Sequence, residues 1–118
     1  MVMLKRAYEP ASRGDGWRVL VERLWPRGVA KETLALDEWL KELAPSAELR
    51  QWFGHDPERW TEFSRRYRQE LRQPAAVALL KQLRERAAAG PVTLVFAARD
   101  SEHSSAVVLR ALLEGRRR

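Results

Sequence analysis

Apolar positions along the chain recur with two different periods, and the switches between them divide it into short strands and helices. Residues 1–8 read as a first strand, with Arg6 and Tyr8 near its end. Residues 9–16 hold Pro10, Gly14 and Gly16 and form a turn-rich loop. Trp17-Arg18-Val19-Leu20-Val21-Glu22 is β-branched and partly alternating, a second strand. Pro26 ends it for want of an N–H, and Gly28 lets the chain turn sharply. Residues 92–98 (Val-Thr-Leu-Val-Phe-Ala-Ala) are apolar on both faces, which predicts a central strand.

The helical period governs the middle of the chain. Residues 31–43 fit both periods: Leu36, Leu40 and Leu43 recur as in a helix, while Asp37, Trp39 and Lys41 alternate as in a strand. Ala44-Pro45 closes that segment either way. Ser46 is placed to cap a short helix with Leu49, Trp52 and Phe53 on one face and Gly54 at its stop. Asp56 caps a second helix, with Pro57 at its first position and an apolar stripe of Trp60, Phe63, Tyr67 and Leu71. Pro74 opens a third, with Val77, Leu80, Leu83 or Arg84, and Ala87 along its stripe, and Gly90-Pro91 stops it. A last helix over residues 101–113 is expected, capped by Asp100 or Ser101.

At 118 residues the chain has room for one core, so a single domain over residues 1–118 is expected. Its 45% hydrophobic and 32% charged content is that of a folded globule rather than a disordered chain. With 0 cysteines, disulfides, thiol nucleophiles and cysteine-ligated metals are excluded. The first residues lack a leader's apolar core, and no apolar run nears the roughly 20 residues that span a bilayer. A cytoplasmic protein without membrane contact is expected.

Net charge is +6, which brings nucleic acid forward as a partner. The basic residues are mostly arginine, and part of the excess is the tail Arg116-Arg117-Arg118. On the helix over residues 57–72, Arg59, Arg65, Arg66 and Arg72 are interleaved with Glu62 and Glu70. Glu62 with Arg66, and Arg66 with Glu70, stand four apart and partly neutralise each other. A nucleic-acid or protein-interaction module using this helix and the tail is therefore the alternative reading.

The chemistry collects at two corners that follow strands, where open α/β sheets bind ligands. In Arg23-Leu24-Trp25-Pro26-Arg27-Gly28, Arg23 and Arg27 offer two-pronged recognition of an oxyanion, with Trp25 as an aromatic wall. In Arg99-Asp100-Ser101-Glu102-His103-Ser104-Ser105, a helix amino terminus would add free N–H groups, and Arg99, Ser101 and Ser104 further donors. His103 with Asp100 is the candidate proton-handling, catalytic pair. Structural roles compete: the arginines can pair with Glu22, Asp37 or Asp100, and Asp100 can be a simple cap. His55, in a tight inter-helix link, fits a structural role. No metal-ligand spacing, phosphate loop or nucleophile elbow is present, so no metal or cofactor is assigned.

The strings Val19-Leu20-Val21-Glu22-Arg23-Leu24-Trp25-Pro26-Arg27-Gly28, Leu43-Ala44-Pro45-Ser46, Leu49-Arg50-Gln51-Trp52-Phe53-Gly54-His55-Asp56-Pro57, and Ala97-Ala98-Arg99-Asp100 with His103 resemble the YeaO-like branch of family 488 of the domains of unknown function. The resemblance covers nearly the whole chain. It implies an α/β domain with helices packed on a small, mostly parallel sheet, and it favours a strand within residues 35–43. It also implies that Arg23, Arg27, Arg99, Asp100 and His103 share a pocket, with Trp25 and His55 at its edge. Larger relatives carry cysteines at the second corner, and this chain carries none. The resulting expectation is a cationic pocket between the corners that takes an anionic small molecule.

Overall fold

The computed structural model describes residues 1–115, so the Arg116–Arg118 tail lies outside the described residues. Four strands form one sheet: β1 (Val2–Arg6), β2 (Trp17–Leu20), β3 (Glu38–Trp39) and β4 (Val92–Phe96). Their order is β1-β4-β2-β3 and every pairing is parallel. The fold is α/β, as expected. β4 is central and all of its residues are buried, which accounts for its apolar character on both sides.

Each predicted strand is shorter than its hydrophobic run. Beyond Leu20 the chain stays extended for one more rung, Val21 N–H to the Val95 carbonyl at 3.1 Å. The ambiguous segment contains both periods in miniature: a helical turn, α1 (Lys31–Leu34), then the two-residue β3, then a 3₁₀ turn at Lys41–Leu43. The expected strand within residues 35–43 is therefore confined to Glu38–Trp39.

Local capping signals place the helices. Ser46 Oγ accepts from the Leu49 N–H at 3.2 Å and starts α2 (Ala47–Phe53), which ends at left-handed Gly54. Asp56 caps a 3₁₀ turn at Pro57–Arg59 that leads into α3 (Trp60–Glu70). α4 (Pro74–Ala89) buries Ala76, Leu80 and Leu83, whereas Val77 is exposed and lies off the stripe. The final helix, α5, spans Ser105–Leu113, with Ser104 rather than Asp100 or Ser101 at its N-cap position and no side-chain capping hydrogen bond. The preceding Asp100–His103 segment is a turn in which Asp100 Oδ1 accepts the N–H groups of Glu102 and His103, at 3.0 and 3.1 Å. Of the described residues, no helix is long and apolar enough to cross a membrane.

Alternation along the strands divides the interior into two parts. Val19, Val21, Val92, Leu94 and Phe96 join the stripes of α2 to α5 in the main core, with Phe63, Tyr67, Leu83 and Leu109. Leu20 and Val95 face the other way, onto Ala7 and Leu34, and Trp25 and Trp39 close that smaller cluster. Beside it on the same face runs a charged seam. Asp15 accepts from Lys5 Nζ at 2.8 Å, Arg18 Nη1 at 2.6 Å and the Ser12 hydroxyl at 2.9 Å. Arg18 also donates to the Leu34 carbonyl at 2.7 Å.

Tyr67 ties α3 to the loop before α2. It is fully buried, and its hydroxyl donates to the Leu43 carbonyl. Burial, reinforced by Glu22 and Glu70, holds the phenol well above its usual range, so it remains a donor. Tyr67→Phe leaves that carbonyl unsatisfied and should lower stability by about 1–3 kcal/mol. Urea unfolding measures this, and an unchanged midpoint would refute it.

Candidate functional site

The two corners do meet. Chain leaving β2 and chain leaving β4 border one open cavity of about 520 Å³ at the carboxyl ends of those strands. Glu22 and Leu24 form one wall, and Ala97, Ala98, His103, Ser104 and Ser105 another. α2 contributes Arg50, Gln51 and Phe53, with His55 just beyond it, and Phe63 comes from α3. Phe53 and Phe63 are stacked with ring centres 4.4 Å apart, giving the cavity an apolar side.

The residues expected to meet there are divided by the structure. His103 and Ser104 line the cavity, and Asp100 holds His103 from behind, Oδ2 to Nδ1 at 2.7 Å. The His103 hydrogen bond keeps the Asp100 carboxyl below its usual range. Trp60 packs edge-on against the imidazole at 5.3 Å, so the ring is fixed by two neighbours. His55 also lines the cavity, at positive φ next to left-handed Gly54.

The corner arginines lie outside the lining. Arg23 donates to the carbonyls of Pro45 and Ala44, at 3.3 Å each, and so anchors the loop before α2. Those partners are backbone groups rather than the carboxylates considered from sequence. Trp25 turns to the opposite face, donating to the Val29 carbonyl at 2.7 Å and packing on Trp39 at 5.4 Å. Arg27, Arg99 and Ser101 are exposed.

Three polar groups in the cavity carry its chemistry. Ser104 is 3% exposed, yet among the described residues its hydroxyl has no hydrogen-bond partner and caps no N–H of α5. Behind it, α5 presents its free N–H groups and positive dipole end. Glu22 is half-buried, and one carboxylate oxygen accepts from the Ala97 N–H at 2.8 Å. Burial pushes its pKa up, against the opposing pull of the Ala97 N–H, Arg50 and His55. Arg50 is exposed at the rim. The lining is therefore mixed in charge rather than purely cationic. From sequence, Glu22 enters only as a possible partner of the corner arginines, and Arg50 and Gln51 only within the Leu49–Pro57 string that resembles the family.

A second hollow of about 470 Å³ lies on the other face, between Trp25, Trp39, Glu32 and Asp37. Its acids are largely taken: Asp37 accepts from the Arg18 N–H at 2.8 Å and Glu38 from the Trp17 indole at 2.8 Å. Among the described residues, no three of His, Cys, Asp or Glu group closely enough to hold a metal ion. On α3, Glu62 takes both Arg65 and Arg66, at 2.6 and 2.7 Å. Glu70 does not pair with Arg66 as the spacing suggested; it accepts from the Ser46 N–H and hydroxyl, at 2.8 and 2.6 Å.

The family model described as the inactive DUF488-N3 subclade matches residues 1–118. An uncharacterised protein of Mycobacterium tuberculosis strain H37Rv is 46% identical over 115 residues, covering 98% of this chain and 95% of that one. The uncharacterised protein YeaO of Escherichia coli K12 is 43% identical over 108 residues, 92% of each chain. No solved structure matches the chain. This chain thus belongs to the YeaO-like DUF488 family, within its inactive N3 subclade.

Proposed function

We propose that this protein binds a small anionic ligand in the cavity between β2 and β4, with the oxyanion at the amino end of α5. The observation that carries the reading is Ser104: a hydroxyl buried without a partner, beside the N–H groups of a helix start. An orphaned buried polar group is costly, and a bound oxyanion would satisfy both the hydroxyl and the helix terminus. Arg50, rather than Arg23 or Arg27, is the cavity arginine available to add charge. Asp100 holds His103 Nδ1, leaving Nε2 as the nitrogen for a ligand. That pair can pass a proton to bound ligand, but the subclade's description as inactive favours binding without turnover.

Inorganic phosphate is the first probe. It should raise the melting temperature of the wild type in proportion to the logarithm of its concentration once saturating. Ser104→Ala should leave the unliganded protein as stable as before, because the hydroxyl makes no bond in the fold. It should weaken phosphate by about 1.5–3 kcal/mol, the worth of a hydrogen bond to a charged group. A wild type indifferent to phosphate and sulfate, or a Ser104→Ala variant that binds as well, overturns the reading.

A further inference from the structure

The cavity has a second pole that an anion alone does not use. Glu22 enters its wall at the end of β2, and its fixed oxygen is bonded to the Ala97 N–H. Among the described residues, the Ala97 N–H is the donor to this carboxylate, and it reaches one of its two oxygens. Arg50 and His55 stand within Coulombic reach, but neither bonds to the carboxylate. A carboxylate oxygen open to a cavity can take a donor there, and a charged donor binds it most strongly. The same lining includes Ser104, whose buried hydroxyl lies at the start of α5, and that end of the helix favours negative charge. The lining also has an apolar part, with Phe53, Phe63, Ala97 and Ala98.

We infer that the ligand is amphoteric, a small molecule joining an ammonium group, held by Glu22, to an oxyanion, held by Ser104 and the amino end of α5. This inference rests on the anion reading above and narrows it to a class: amino phosphates and amino acids, short enough for a cavity of about 520 Å³. Glu22 would then act as the selectivity group. A plain anion meets it as a repulsive neighbour, whereas a zwitterion of the same shape meets it as a partner.

Two probes of nearly the same size isolate the nitrogen: O-phosphoethanolamine and propyl phosphate, each titrated calorimetrically against the full chain. The wild type should bind the amino compound at least tenfold more tightly. Glu22→Gln keeps an oxygen for the Ala97 N–H, so the corner should stay folded. It should abolish the preference while leaving propyl phosphate bound as well or better. Ser104→Ala should weaken both probes and keep their ratio. Equal wild-type affinity for the two probes overturns the amphoteric ligand and leaves the anion site standing. Failure of the wild type to bind either probe or phosphate removes both. If Glu22→Gln does not fold, the wild-type ratio alone decides.

Discussion

Asp15→Ala should unfold with about 3–5 kcal/mol less free energy than the wild type, the cost of removing one partner from a buried ion pair. Asp15 and Arg18 are each 4% exposed, so the variant strands the Arg18 guanidinium in the interior without its carboxylate. The Leu34 carbonyl still accepts from Arg18, which limits the loss without removing the unpaired charge. The same carboxylate makes stability depend on pH. Burial pushes its pKa up, but Lys5, the N–H and hydroxyl of Ser12, and Arg18 together outweigh burial and hold it well below the usual carboxylate range. A depressed folded pKa contributes stability above the unfolded value of about 4, and that contribution is lost as pH falls towards the folded value. Urea unfolding at pH 7 and pH 3 should therefore show the two proteins converging in acid. Wild type and variant with parallel acid dependence would contradict this account.

Gly16→Ala should be nearly as damaging, at roughly 2–4 kcal/mol, because it combines left-handed backbone with overpacking. Gly16 has φ +65°, and a methyl group there would sit 2.1 Å from the Pro91 carbonyl oxygen. That oxygen accepts from the Trp17 N–H at 3.0 Å, beside the start of the β2–β4 pairing. Backbone on both sides leaves the clash nothing flexible to displace. Gly28→Ala is the control, with φ +77° but open space around the added carbon. It should cost only the conformational part, about 1–2 kcal/mol. Thermal unfolding of the pair separates the two contributions, and equal losses would show that the clash relaxes.

The parts of this fold readable from sequence are those written in local chemistry. Ser46, Gly54, Asp56 and Pro57 mark helix ends through groups only a few residues apart, and Phe63 and Tyr67 mark a buried stripe by spacing alone. β3 was not readable in that way, because two residues become a strand only through pairing with Val19 and Leu20. The start of α5 was misjudged for a physical reason. Asp100 satisfies N–H groups two and three residues ahead, the same pattern as a helix cap, yet the chain closes a turn there and the helix begins at Ser105. At the site, the meeting of two strand ends was legible, but not which neighbours would face inward. Glu22 and Leu24 line the cavity, Arg23 is taken up by the Pro45 and Ala44 carbonyls at its border, and Trp25 turns to the opposite face.

The position of β4 has a consequence for how the molecule is made. Its neighbours in the sheet, β1 and β2, are the earliest strands in the chain, and the Val2↔Val92 rung joins residues 90 apart in sequence. While a ribosome is still extending the chain, β1 and β2 have no partner between them and their inner edges stay open. The helical hairpins of residues 46–89 can gather locally in that interval, but the sheet assembles only once residues 92–96 emerge. Nucleation must then close a long loop, which favours slow, late folding.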